Sequence, residues 1–216
     1  MDNPQPVHHL LVLSHPQAES FCAAIASCWQ ERARHHHQDC DLRDLYRENF
    51  DPVLRAHEQP GKAGYAPLPE NISERERLSG LDVLTLVYPV WFGTPPAMLK
   101  GYLERVVGSG IGFGTESEEP KPLANVRLVQ ISTSASNTPW LHEKGVPSAL
   151  HTLFDAYIAE VFGAHATHRL HLDAITQDMG ALRAASRLRE VQDFADRVCA
   201  AANADRWARV RSQSAR

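Results

Sequence analysis

The chain has no apolar run near the roughly eighteen residues that a membrane-spanning helix needs. Its amino-terminal MDNPQPVHH has neither the cationic start nor the cleavage site of a secretory leader. The four cysteines (Cys22, Cys28, Cys40, Cys199) form no CxxC pair and are too sparse for a disulfide framework, which fits a reducing cytoplasm. Lysine is scarce: 18 of the 22 basic residues are arginine, scattered along a chain of formal net charge −4. That distribution gives no footing for nucleic acid. There is no internal repeat and no low-complexity stretch. What remains is a chain of 216 residues with the apolar content of an ordinary core, expected to fold as one domain over residues 1–205 with a flexible tail at 206–216.

Short apolar runs punctuated by polar turns carry the organisation. HHLLVL, LDVLTLVYPV and VRLVQIST (126–133) are nearly continuous in apolar residues, the signature of parallel strands covered on both faces. DCDLRDLY and THRLHLDAI are more polar and read as strands nearer the edges. Between them stand helices. One starts at Ser20 with Phe21, Ile25 and Cys28 on one face and runs to about residue 36. Another is PPAMLKGYLERVVG, with Pro96 near its first position. PSALHTLFDAYIAEVFGA stops at Gly163, and Ala184, Leu188, Val191, Phe194, Ala195 and Val198 stripe a last helix. SERERLSG (73–80) makes a turn or two of helix, and the prolines and glycines of 47–69 exclude a regular element there.

Five strands alternating with helices predict an α/β fold, a doubly wound five-stranded parallel sheet in the flavodoxin-like order 2-1-3-4-5 with helices on both faces. In that order ligands bind at the carboxyl ends of the first and third strands. Three loops then meet on one edge. The first, Ser14–Phe21, combines hydroxyls, an imidazole and a helix N-terminus, an arrangement that suits a phosphate or an ordinary capped turn; Glu19 counts against the phosphate. The second, PVWFGTPP, places Trp91 and Phe92 where a flat heteroaromatic ligand would lie. The third, ISTSASNTPW, is dense in hydroxyls.

The segments SHPQAESF (14–21), DLYRENFDPVL (44–54) and PVWFGTPPAMLKGYLERV (89–106) resemble, in order and spacing, the NAD(P)H:quinone oxidoreductase family of flavodoxin-like flavoproteins. The resemblance implies FMN or FAD as cofactor and NADPH or NADH as electron donor. It implies a quinone or similar small-molecule acceptor reduced by two electrons in ping-pong fashion, and a homodimer with its site at the subunit boundary. Residue by residue, His15, Ser20, Phe21 and Cys22 match positions that hold the flavin phosphate and ribityl chain. Pro89, Val90, Trp91 and Phe92 match the loop along the isoalloxazine, and Ser132, Thr133, Ser134 and Ala135 the loop at its pyrimidine side. Phe113 and Trp140 match positions lining the substrate pocket. The chain departs from the family at Cys22, where Asn is usual, and at Ser132–Ala135, where Thr-Thr-Gly-Gly is usual. Trp140 and Val146 stand where relatives carry a Tyr and a His that assist charge changes on the reduced ring, which makes His142 the candidate catalytic substitute. The same resemblance admits a flavin-binding ancillary subunit of a potassium-efflux system with little turnover.

Several features carry less. The glycines of GSGIGFG (108–114) follow a helix, not a strand, and so fail the context of a dinucleotide fingerprint. His35, His36 and His37 are adjacent and cannot converge on one metal; strand geometry splits His165, His168 and His171 between faces, and no metal site is expected. Cys22 at a helix N-terminus is either a reactive thiol or a small buried filler. Ser134, His142 and Asp155 or Asp173 lack the G-x-S-x-G elbow of a hydrolase.

Overall fold

In the computed structural model, which describes residues 5–60, 62–109 and 121–214, the strands are β1 (His8–Leu13), β2 (Asp39–Asp44), β3 (Val83–Pro89), β4 (Arg127–Thr133) and β5 (Ala166–Leu172). All neighbours pair in parallel, in the order β2-β1-β3-β4-β5 that the alternation of runs predicts. β3 is buried along its whole length, whereas β2 and β5 at the edges are partly exposed. The chain reverses its winding between β1 and β3, which opens a crevice at their carboxyl ends.

Side chains alternate across the sheet and build two cores. Leu10, Val12, Leu84, Leu86, Tyr88 and Leu128 pack on one face with Leu99, Tyr102, Val106, Phe154 and Ile158. Those partners come from α3 (Ala97–Tyr102) with its π-helical extension Leu103–Val107, and from a continuous helical stretch. That stretch is α5 (Val146–Leu150), a π-helical segment His151–Ala156 and α6 (Tyr157–Phe162). Leu11, Leu13, Val83, Val87, Val129 and Ile131 pack on the other face with Ile25 and Trp29 of α1 (Phe21–His35) and Val191, Phe194 and Val198 of α7 (Ala181–Ser214).

Local chemistry sets the helix ends. Ser20 caps α1, its Oγ accepting from the Ala23 N–H at 3.2 Å, and Arg32, Arg34 and His35 lie in the last turn against the negative end of the dipole. α6 ends at Gly163, whose φ of 82° is the left-handed geometry a side chain resists. Pro96 is the cap of α3 and not its first residue.

Two expectations shift, and one element appears that the sequence did not announce. The helix placed at 73–80 is α2 (Pro69–Glu76), because Pro69 starts it at a position that needs no N–H and Gly80 turns the chain at φ 72°. A short helix, α4 (Thr138–Glu143), follows β4 unannounced, capped by Asn137, whose Oδ1 accepts from the Trp140 N–H at 3.0 Å. The tail expected from residue 206 is instead the end of α7, helical to Ser214. Arg206 and Arg209, one turn apart on it, both pair with the buried Asp82 at the amino end of β3. No helix among the described residues is long and apolar enough to cross a membrane.

Candidate functional site

The carboxyl ends of β1, β3 and β4 frame a cleft of about 550 Å³, within the size of small-molecule sites. Every cofactor residue expected from the three loops except Ser132 lines it.

At one end the N-terminus of α1 opens into the cleft. The Phe21 and Cys22 N–H groups stand in the first turn, where no intrahelical acceptor exists. Ser20 Oγ uses a lone pair on Ala23, which leaves its O–H proton to donate. His15 Nδ1 accepts from the Gln17 N–H at 3.1 Å, so Nε2 carries the ring proton. Burial holds the His15 pKa below its ordinary value, so the neutral ring is the resting form. Among the described residues no lysine or arginine lines the cleft, and Glu19 is the one carboxylate on its walls. Anion binding here rests on dipoles and neutral donors.

The second loop is a tight two-residue turn. Trp91 and Thr94 exchange backbone hydrogen bonds of 2.9 and 3.1 Å, with Phe92 and Gly93 at φ 52° and 81°. Both central residues are left-handed, a geometry that costs Phe92 strain and leaves its ring fully exposed at the cleft mouth. Trp91 leans toward His15, ring centroids 5.8 Å apart. The Val90 N–H donates to the Thr133 carbonyl at 2.7 Å, which locks the second loop to the third.

Along the third loop the Ser134 N–H bonds the Leu172 carbonyl (3.0 Å) and the Ser134 carbonyl receives the Ile175 N–H (2.8 Å). This ties in a fourth wall, Ile175 to Met179 after β5, that sequence reasoning missed. The strand-order rule points to β1 and β3; the signal available was that DAITQDMG leaves a parallel strand on the same edge.

Other expected residues fall elsewhere. Ser132 and His142 line a second chamber of about 190 Å³, together with Tyr88, Asp155, Arg169 and His171, on the far side of the Ser132–Ser134 backbone. Alternation along β4 turns Ser132 away from the cleft, and α4 carries His142 with it. Trp140 is half-exposed on α4 and lines neither space. Phe113 lies outside the described residues. Cys22 is a filler: its Sγ lies 3.4 Å from Thr133 Oγ1, and burial pushes the thiol up to about 11, leaving it protonated.

His171, which the sequence did not single out as functional, joins the two spaces. Its Nε2 is 3.0 Å from Ser134 Oγ and its Nδ1 2.9 Å from Ser132 Oγ. Ser134 spends its only hydroxyl proton on the Ser136 carbonyl (2.9 Å) and so accepts from His171 Nε2–H. Nδ1 is then the acceptor of the Ser132 O–H. That direction makes Ser134 an acceptor from His171, while His142, the histidine of the hydrolase arrangement, lines the second chamber. Burial holds His171 below the usual imidazole range.

A family model described as a flavodoxin-like fold matches residues 7–197. The chain belongs to the flavodoxin-like fold family. Within the family it is 37% identical over 147 residues to a Haemophilus influenzae protein named an uncharacterized NAD(P)H oxidoreductase, covering 67% of this chain and 72% of that one. It is 27% identical to the rat NAD(P)H dehydrogenase [quinone] 1, of which the match spans little more than half, 54%. Among solved structures, an NAD(P)H:quinone oxidoreductase from Methanothermobacter marburgensis superposes with a TM-score of 0.75 over 90% of this chain and 98% of that one, at 19% identity. Its curated relatives are oxidoreductases, and the structural match bears on the fold alone.

Proposed function

We propose that this protein is a flavin-dependent NAD(P)H oxidoreductase that binds FMN or FAD in the 550 Å³ cleft and reduces a quinone or similar small acceptor. One observation carries the reading: a helix N-terminus ringed by neutral donors and an aromatic-walled slot share one cleft, the two halves that a charged tail and a flat ring require. The names of the relatives, which include NAD(P)H oxidoreductases and quinone dehydrogenases, support it.

The residues present fit the group. Ser20 O–H, His15 Nε2–H and the first-turn amides of α1 would hold the phosphate. The slot between Pro89–Phe92 and Thr133–Ser136 would take the ring, with Trp91 as the aromatic wall and the hydroxyls at its polar edge. A bound flavin supplies hydride acceptance and two-electron donation; the protein's part is orientation, dipoles and exclusion of water. Donor and acceptor would use the same open side in turn, where Phe92 stands at the mouth.

The same region supports the homodimer as part of this reading. Phe92, Leu153 and Tyr157 are exposed apolar side chains, and a groove of about 350 Å³ runs between Gly93–Pro95 and Ala149–Phe154. A second copy covering this face would close the cleft mouth. Four unpaired cysteines suit the reducing cytoplasm as its place of work.

The visible spectrum of the purified protein, with identification of the released chromophore, tests the reading, followed by NADPH and NADH oxidation with a panel of quinones. Bound flavin with ping-pong turnover is the expected result. Bound flavin without turnover would favour an ancillary role, and a folded protein that takes up neither FMN nor FAD overturns the proposal. Trp91→Ala is expected to weaken flavin binding about tenfold to a hundredfold by removing the aromatic wall.

A further inference from the structure

A cavity of about 530 Å³ opens at the opposite edge of the sheet, where β1, β3 and β4 begin. It shares no residue with the flavin cleft. The winding of the strands accounts for a crevice at their carboxyl ends and not for this one. Buried Leu78, Leu81 and Val126 supply apolar wall, Asp82 a buried carboxylate, and α7 the guanidiniums of Arg206 and Arg209.

The charges in this cavity do not cancel. Asp82 Oδ2 accepts from the His8 N–H at 3.0 Å. Arg209 donates Nη2 to Asp82 Oδ1 and Nη1 to the Asn125 carbonyl at 3.2 Å. One guanidinium thus neutralises the carboxylate and fastens α7 to the loop before β4. Arg206 is a second, and it reaches Asp82 through Nη1 alone, 3.4 Å from each oxygen, longer than a well-made hydrogen bond. Its Nε–H and Nη2–H groups form the edge of the fork that grips an oxyanion with two parallel bonds, and they have no partner among the described residues. Asp205, the neighbouring acid on α7, is taken by Arg127 at 2.7 Å and His165 at 2.9 Å. One positive charge is left over beside apolar wall.

We infer that this cavity binds a small organic monocarboxylate, its carboxylate on the open fork of Arg206 and its apolar body against Leu78, Leu81 and Val126. The inference stands apart from the flavin proposal. The excess of one charge sets the charge of the ligand: a monoanion balances the cavity, whereas a dianion would leave net negative charge beside Asp82. The shape of the fork sets its head group. A carboxylate offers two oxygens to two parallel donors, and a neutral amide offers one. The volume lies within the range of small-molecule sites, with apolar wall and few polar groups. A bound acid would bridge the end of α7 to the loops that precede β3 and β4, so occupation stabilises the folded chain.

Calorimetric titration of the full chain with hexanoate and benzoate, with hexanamide and inorganic phosphate beside them, tests it. Each acid is expected to bind one to one, with a dissociation constant of roughly 0.1–1 mM, and to raise the unfolding temperature. Arg206→Gln is expected to weaken both acids about tenfold to a hundredfold, while Arg209 stays on Asp82. Arg206→Lys keeps the charge without the fork; it should fall between the two, and it carries the test if the glutamine variant does not fold. Saturating FMN should leave the acid affinities unchanged, because the two cavities lie at opposite ends of the strands. No saturable binding, equal binding of hexanamide, or undiminished affinity in both Arg206 variants overturns the inference. Displacement by FMN overturns it by placing the acid in the flavin cleft. Phosphate bound as tightly as hexanoate would mark an adventitious ion only and overturns it too. Protein that takes up no flavin overturns the proposed function alone, and the affinities of the Arg206 variants still decide the inference.

Discussion

Two polar assemblies in this molecule are built on opposite plans. Beneath the 51–76 excursion, full charges are buried and paired. Arg105, 2% exposed, donates Nε and Nη2 to Glu58 Oε1 at 3.2 and 3.0 Å and stacks its guanidinium over Phe50. Asn71 Nδ2 donates to the same carboxylate oxygen, and Glu74 accepts from Arg43 at 2.9 Å and Tyr102 at 3.1 Å. A Cβ on Gly101 would overlap Pro52, so the excursion is seated directly against α3. In the cleft, by contrast, the described walls hold no arginine or lysine, and the Ser20 O–H and His15 Nε2–H have no protein partner among the described residues. Charge that meets charge within the chain fastens a long loop; donors that meet nothing await a ligand.

Breaking the closed assembly should have the largest effect. Arg105→Met strands the Glu58 carboxylate in the core and is expected to cost about 3–5 kcal/mol in urea unfolding. Arg105→Met/Glu58→Gln should cost less than the sum of the single variants, since both charges then leave together. Additive losses would mean that the two residues are not coupled as their hydrogen bonds indicate.

His9 sharpens the contrast from a third position, a buried polar group with only one partner. Its Nε2–H donates to Gln38 Oε1 at 2.7 Å, its Nδ1 has none, and burial lowers its pKa to about 4 from an unfolded value near 6.5. The folded value is the depressed one. Stability from this group is therefore complete above pH 6.5, where both states are neutral, and falls as the pH drops to 4, because the unfolded chain takes a proton that the folded one refuses. The loss amounts to about 3 kcal/mol. Urea midpoints followed from pH 7 to 4 should fall less steeply in His9→Gln than in the wild type; parallel lines would show that His9 is not the group responsible.

The contrast also explains what the sequence discloses. β1, β3, β4 and α1 are legible because apolar runs and a serine cap act within a few residues. The three loops of the cleft follow from those strands plus the order in which parallel strands wind. The fourth wall, Ile175 to Met179, and the His171 chain are not legible, because each depends on the register of β5 against β4. Alternation did separate His168 from His171: one ring packs near Phe194 of α7, the other meets Ser132 on the opposite side. The end of α7 reads as a frayed tail because its arginines find Asp82, 124 and 127 residues earlier, only in the fold. His142 was drawn to the cleft by proximity in sequence, and α4 turns it to the second chamber.

Ser20→Ala opens the cleft's own plan to test. Removing the cap is expected to cost about 1 kcal/mol of stability. Removing the hydroxyl donor should weaken FMN severalfold, a loss of about 1 kcal/mol, and leave riboflavin, which has no phosphate, nearly unaffected. Equal losses for both, read by fluorescence titration, would move the phosphate away from α1.

Glu19→Gln is the smallest change and asks the sharpest question of the open assembly. Glu19 is exposed in the loop that leads into α1, and among the described residues no lysine or arginine on the cleft walls offsets it. If the phosphate sits at the helix N-terminus, the carboxylate repels it across solvent, by about 1 kcal/mol or less at low salt. The variant should then bind FMN two- to fivefold more tightly at low ionic strength, a gain that fades as salt is added. Riboflavin affinity should not change at any salt concentration, because the repulsion acts only on the phosphate. A gain shared by riboflavin would point to altered loop packing; no gain for FMN would place its phosphate beyond the reach of Glu19.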